Sequence, residues 1–121
     1  MIADVGEDSP VRHFLDEFVG KYSDTGHSGW YFGDTTRNEL QCAGLNIVRD
    51  TVLRYHWYAP DKLQLADFCR TLFGMVRTDN ATVIEGIVDY LGYHERPGRS
   101  CLNWQLQCFV CEPHNQSGQA K

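Results

Sequence analysis

The densest run of metal-capable side chains lies near the C-terminus, in Cys108-Phe109-Val110-Cys111-Glu112-Pro113-His114. Cys-x2-Cys-x2-His offers three soft or borderline donors that could grip a zinc ion from one turn of chain. Cys101 is the candidate fourth ligand, with His94 as its substitute. The second close cysteine pair of a well-formed zinc module is missing, because six residues separate Cys101 from Cys108. Strand geometry also points Cys108 and Cys111 to opposite faces unless the chain turns after Val110. A metal held here would be structural, since no open coordination position is implied. Cysteine is a common small core residue, so the reading preferred for these thiols is no cofactor, with zinc as the alternative.

Cysteine nucleophile chemistry needs a histidine and an orienting group beside the thiol. No local signature of that kind surrounds Cys42, Cys69 or Cys101, and Cys69 falls on an apolar stripe where a packed thiol is expected. The carboxylate pairs Asp16/Glu17 and Glu85/Asp89 could do acid–base work. The second pair is spaced i,i+4 on a polar helix face, where it reads as two solvated charges. Gly26, Gly29 and Gly33 neither follow a strand nor precede a Lys-Ser/Thr element, so no phosphate loop is present. The sequence is therefore read as a non-enzyme, and a small Cys–His or carboxylate enzyme is a second alternative.

Two aromatic clusters remain, Trp30-Tyr31-Phe32 and Tyr55-His56-Trp57-Tyr58, the latter beside Arg54. Aromatics with arginine nearby are the composition of binding hot spots. Trp30-Tyr31-Phe32-Gly33 with Thr36-Arg37, and Asn46-Ile47-Val48-Arg49-Asp50 behind them, resemble the opening and the phosphate-binding strand of an SH2 domain. The spacing is too short for the helix that family places between them, so no phosphotyrosine contact is carried over to Arg49.

The elements that must position these groups follow from periodicity. Ser9-Pro10 is a helix start. Val11, Phe14, Leu15, Phe18, Val19 and Tyr22 then make one stripe, predicting a helix over 10–22. Residues 23–33 read as a glycine-rich loop. Thr36 with Glu39 has the form of a capping box. Leu40, Ala43, Ile47, Val48, Thr51, Val52 and Tyr55 then predict a long helix over 36–57, ended by Pro60. A third helix is expected over 62–77 and a fourth over 81–91, with Gly92 closing it. Residues 95–100 read as a loop. The period then changes: Leu102, Trp104, Leu106, Cys108 and Val110 alternate with polar residues, predicting a strand over 102–110.

The expected fold is thus mainly α: a compact bundle of three to four helices with a short C-terminal β element, α+β being the variant. Residues 1–8 read as a flexible acidic N-terminus, 9–114 as one domain and 115–121 as a disordered tail. The chain has 121 residues, which suits one domain. Its net charge of −5 argues against nucleic acid and anionic membranes as partners. Acids dominate residues 1–34, while six bases stand against four acids over 37–77. No apolar run long enough to span a membrane occurs. The odd cysteine count, without a secretory leader, reads as reduced thiols in cytosol or nucleus.

A lone strand leaves backbone donors and acceptors without a neighbour. It can pair with Trp30–Phe32, with its own copy in a homodimer through 102–110, or with a partner's sheet. The function expected is protein–protein interaction, as a regulatory, adaptor or accessory protein of cellular or viral (host-interacting) type. Trp30, Tyr31, Phe32, Arg54, Trp57, Tyr58, Trp104 and Leu106 are the candidate partner-binding residues. Cys101, Cys108, Cys111 and His114 are the candidate metal ligands.

Overall fold

A computed structural model describes residues 1–113; the candidate ligand His114 and the tail 115–121 lie outside the described residues. Among the described residues the architecture is α+β, with four helices and a four-stranded antiparallel sheet. This corrects the mainly α, alpha-helical bundle that periodicity predicted.

The correction falls on residues 43–59. Helix α2 covers only Asp34–Cys42, entered where the Gly33 N–H donates to Thr36 Oγ1 at 3.1 Å. Gly44 then takes a left-handed conformation (φ +86°), and the chain leaves as strand β2, Leu45–Ala59. Ile47, Val48, Thr51, Val52, Tyr55, Trp57 and Tyr58 are β-branched or aromatic, the types that lose rotamer freedom in a helix and fit a pleated surface. A register shift between Ile47 and Arg49 leaves Val48 as a bulge. The bulge breaks the period of two, which is why the apolar spacing imitates a helix.

The first and fourth helices lie where predicted; the third, predicted over 62–77, stops at Leu72, just before Gly74 takes a left-handed conformation (φ +62°). Helix α1 runs over 10–22, with Ser9 Oγ accepting the Arg12 N–H at 3.2 Å. Its central part, Phe14–Val19, is wound as a π-helix. Asp61 caps α3, Lys62–Leu72, by accepting the Gln64 N–H at 2.8 Å. Asp79 caps α4 (80–91) in the same way from Thr82, and α4 ends in a π segment, Ile87–Leu91. Within the acidic N-terminal stretch, Ile2–Asp4 forms β1. The expected loop at 95–100 is a tight hairpin instead: β3 (Tyr93–Arg96) turns through Gly98 (φ +76°) into β4, Arg99–Pro113.

β4 is the central strand. β2 pairs with it from Leu45↔Pro113 to Ala59↔Ser100. On its other side β1 pairs at Gln107–Phe109 and β3 at Arg99–Leu102. Leu102 and Trp104 join Val11, Phe14, Leu65, Val83 and Ile87 in one apolar cluster, so α1, α3 and α4 share a core with the sheet. Phe109, which alternation places on the opposite face, stacks on Phe32 at 5.5 Å beneath the Arg37 guanidinium.

Helices α1 and α4 meet through their π segments, where Phe14 and Phe18 lie 6.1 and 6.0 Å from Tyr90. Gly86 permits this approach, because a Cβ there would overlap the Phe18 ring. Gly86→Ala should therefore destabilise by about 1–3 kcal/mol, read as a lower urea midpoint at unchanged slope. Gly20→Ala, whose Cβ would meet nothing nearer than 3.6 Å, should leave the midpoint unchanged or raise it. Equal effects at both positions would contradict this packing.

Candidate functional site

The strand predicted to lack a neighbour, 102–110, has β2 beside it along its whole length. The incomplete strand is β2 itself. It is an edge strand of 15 residues, and among the described residues nothing pairs with its outer side. Such an edge is a ready template for another chain. Its first half is blunted by the bulge at Val48 and by Arg49 and Asp50, both devices that discourage pairing. Its second half, Leu53–Ala59, is less protected and runs beside an apolar groove.

That groove, about 550 Å³, lies between the end of β2 and α3 and is lined by His56, Trp57, Tyr58, Gln64, Leu65 and Phe68. Its floor is rigid. Trp57 stacks on Trp104 with ring centroids 4.1 Å apart and meets Phe68 edge-on at 5.9 Å. Phe73 closes the stack, 6.3 Å from Trp57 and 6.1 Å from Trp104. Only part of the apolar stripe of α3 reaches the core. Leu65 and Cys69 are buried, whereas Phe68 is 51% exposed and Leu72 53%. Phe68 and Leu72 are spaced i,i+4, so Leu72 adds exposed apolar surface next to Phe68 on one side of the helix.

The eight predicted contact residues divide among three settings. Arg54, Trp57 and Tyr58 lie on β2 at the open edge, with the Arg99 guanidinium 4.9 Å from the Tyr58 ring centroid. Trp104 and Leu106 lie on β4 behind it, Trp104 buried as support for Trp57. Trp30, Tyr31 and Phe32 are elsewhere. Trp30 is 93% exposed, Phe32 is engaged with Phe109, and the Tyr31 O–H donates to Asp16. Leu53, Gln64, Phe68 and Leu72 join the site without having been predicted, while Tyr55 and His56 join it from the aromatic cluster at 55–58. The helical reading of 36–57 hid Leu53, and a periodic stripe does not tell which of its members a core will cover.

A polar anchor fixes the blunted half of β2. Arg37 of α2 donates from Nε to Asp50 at 2.7 Å and Gln107 Nε2 donates to the same carboxylate at 2.7 Å. The hydrogen bond from Arg37 holds the Asp50 carboxyl below its ordinary value, against the opposing effect of partial burial. At α1, the Tyr31 phenol is pushed up, by burial first and then by its bond to Asp16. Desolvation would raise the Asp16 carboxyl, but hydrogen bonds from Tyr31, Arg12 and His27 outweigh it and hold that group low. These contacts tie loop 23–33 to α1.

Cys101, Cys108 and Cys111 do not converge. β4 continues without a turn to Pro113, so alternation sets Cys108 on one face and Cys101 and Cys111 on the other. Among the described residues no group of three His, Cys, Asp or Glu side chains is placed to hold a metal ion. No helix of the described residues is long and apolar enough to cross a membrane. No family model, curated protein or solved structure matches the chain.

Thiol reactivity checks this placement. Cys42 is exposed and Cys111 half-buried, while Cys69, Cys101 and Cys108 are buried. Burial pushes the Cys69 thiol up to about 12. Brief alkylation of the native protein followed by mass spectrometry should modify Cys42 first, Cys111 next, and the other three only after unfolding. Early modification of Cys69 or Cys108 would contradict the packing.

Proposed function

We propose that the protein is an interaction module that takes up an extended segment of another protein as a fifth strand on β2. The observation that carries this reading is the open outer side of a 15-residue strand whose second half runs into an apolar groove. Strand addition of this kind gives affinity through main-chain hydrogen bonds and selectivity through pockets for alternate side chains. The main-chain bonds contribute about 1 kcal/mol each net and are blind to sequence. Choice of partner therefore falls to the groove and its margin, where Trp57, Phe68 and the neighbouring Leu72 offer apolar surface worth about 25 cal/mol per Å² covered. A regulatory, adaptor or accessory role suits a chain that presents one such edge.

The test uses peptides selected from a random display library on the whole protein. Phe68→Asp, a change on a half-exposed face, should leave the circular dichroism spectrum intact and weaken the selected peptides by about tenfold or more. N-methylation of alternate peptide amides should abolish binding, because those amides would donate to β2. Selected peptides indifferent to both changes would overturn the reading.

A further inference from the structure

The two sides of the open edge differ in chemistry, and the register of the sheet says how. Residues directly opposite in an antiparallel pair point to the same face. Leu53, Tyr55 and Trp57 lie opposite Leu106, Trp104 and Leu102, so they belong to the apolar face that shares the core. Arg54, His56 and Tyr58 lie opposite Gln105, Asn103 and Cys101 on the other face. That second face is cationic. Arg99 reaches over the Tyr58 ring, carrying its charge toward the edge. Behind it, His94 and Arg96 of β3 lie opposite Cys101 and Arg99 and so share the face, and the His94 and His56 rings are 5.5 Å apart.

The acids of this face lie toward its other end, where Asp4 is opposite Gln107 and Glu7 and Asp8 line the space beside Gln105 and Gln107. Among the described residues, Arg54, Arg96 and Arg99 take part in no ion pair. Glu95 falls on the opposite face of β3, where the Tyr93 O–H donates to it at 2.8 Å. Asp50, the one acid in β2, is already held by Arg37 and Gln107. Arg54, Arg96 and Arg99 thus carry the charge of the half of this face away from Asp4 and Asp50.

We infer that the strand accepted by β2 alternates apolar and acidic side chains: apolar toward Leu53, Tyr55 and Trp57, acidic toward Arg54, His56 and the Tyr58–Arg99 pair. The inference rests on the strand-addition reading and adds the chemistry of the partner. A guest strand obeys the same period of two as its host, so one register satisfies both faces at once. A second copy of β2 fits poorly as the guest. Its second half, Leu53–Ala59, carries no carboxylate to meet Arg54, and Asp50 is already held by Arg37.

Fluorescence anisotropy on the full chain tests this with labelled synthetic strands. The reference probe alternates valine or phenylalanine with glutamate. One variant replaces every glutamate by lysine, one keeps the composition but groups the glutamates in a block, and one is N-methylated at alternate amides. The alternating glutamate probe should bind, with affinity falling as salt rises. The lysine probe should bind about tenfold or more weakly, the block probe should lose a similar factor, and Arg54→Glu should reverse the glutamate–lysine preference. Equal binding of glutamate and lysine probes, both abolished by N-methylation, would overturn the charge inference and leave strand addition standing. Binding that survives N-methylation would overturn strand addition itself. A glutamate probe that does not bind at all overturns the alternation, while display-selected peptides still report on the edge.

Discussion

The pairing of β2 with β4 is the interaction on which the rest of this molecule depends. It joins segments separated in sequence by α3, α4 and β3, and it runs the full length of both strands. It brings Trp57 over Trp104, so that Phe73 and Phe68 can close an aromatic stack between sheet and helix. It also sets Asp50 beside Gln107, where Arg37 can tie α2 down on the opposite face. Because β4 is flanked by β1 and β3 on its far side, β2 is left as the long edge. One pairing therefore creates both the core and the exposed strand.

Much of the helical half of the fold was legible in the sequence. Ser9-Pro10, Asp61 and Gly92 mark boundaries with side-chain and backbone chemistry that acts locally, and the elements at 10–22, 62–72 and 80–91 follow them. The strand at 102–110 was legible because polar residues alternate cleanly with Leu102, Trp104 and Leu106. β2 was not, for a specific reason. The bulge at Val48 shifts the alternation by one residue, and both faces of the strand carry apolar side chains, Val52 on one and Leu53 on the other. The result is a spacing that matches a helix as well as it matches a strand. Composition held the better signal: a segment dense in β-branched and aromatic residues after Gly44 favours a strand.

The candidate site was legible by residue type more than by place. Arg54, Trp57 and Tyr58 were recognisable as contact chemistry, and they do lie together on the open edge. Trp30–Phe32 carry the same composition but are divided by the fold, with Phe32 spent on Phe109 and Tyr31 on Asp16. The cysteines that invite a metal are separated by the pleat of β4. What sequence alone could not supply is the sidedness of the edge. Only the β2–β4 register shows that Leu53, Tyr55 and Trp57 share the core face while Arg54, His56 and Tyr58 share the other.

Among the described residues β2 is paired on one side only. In an antiparallel ladder successive amides of an edge strand point alternately toward the neighbour and toward solvent. Residue-resolved amide hydrogen exchange on the isolated monomer reads this directly. Slow and fast amides should alternate with a period of two along β2 beyond the bulge, the slow ones being those that donate to β4. Uniform protection through 49–59 in a verified monomer would mean that the edge is filled or the segment helical, and would contradict the account.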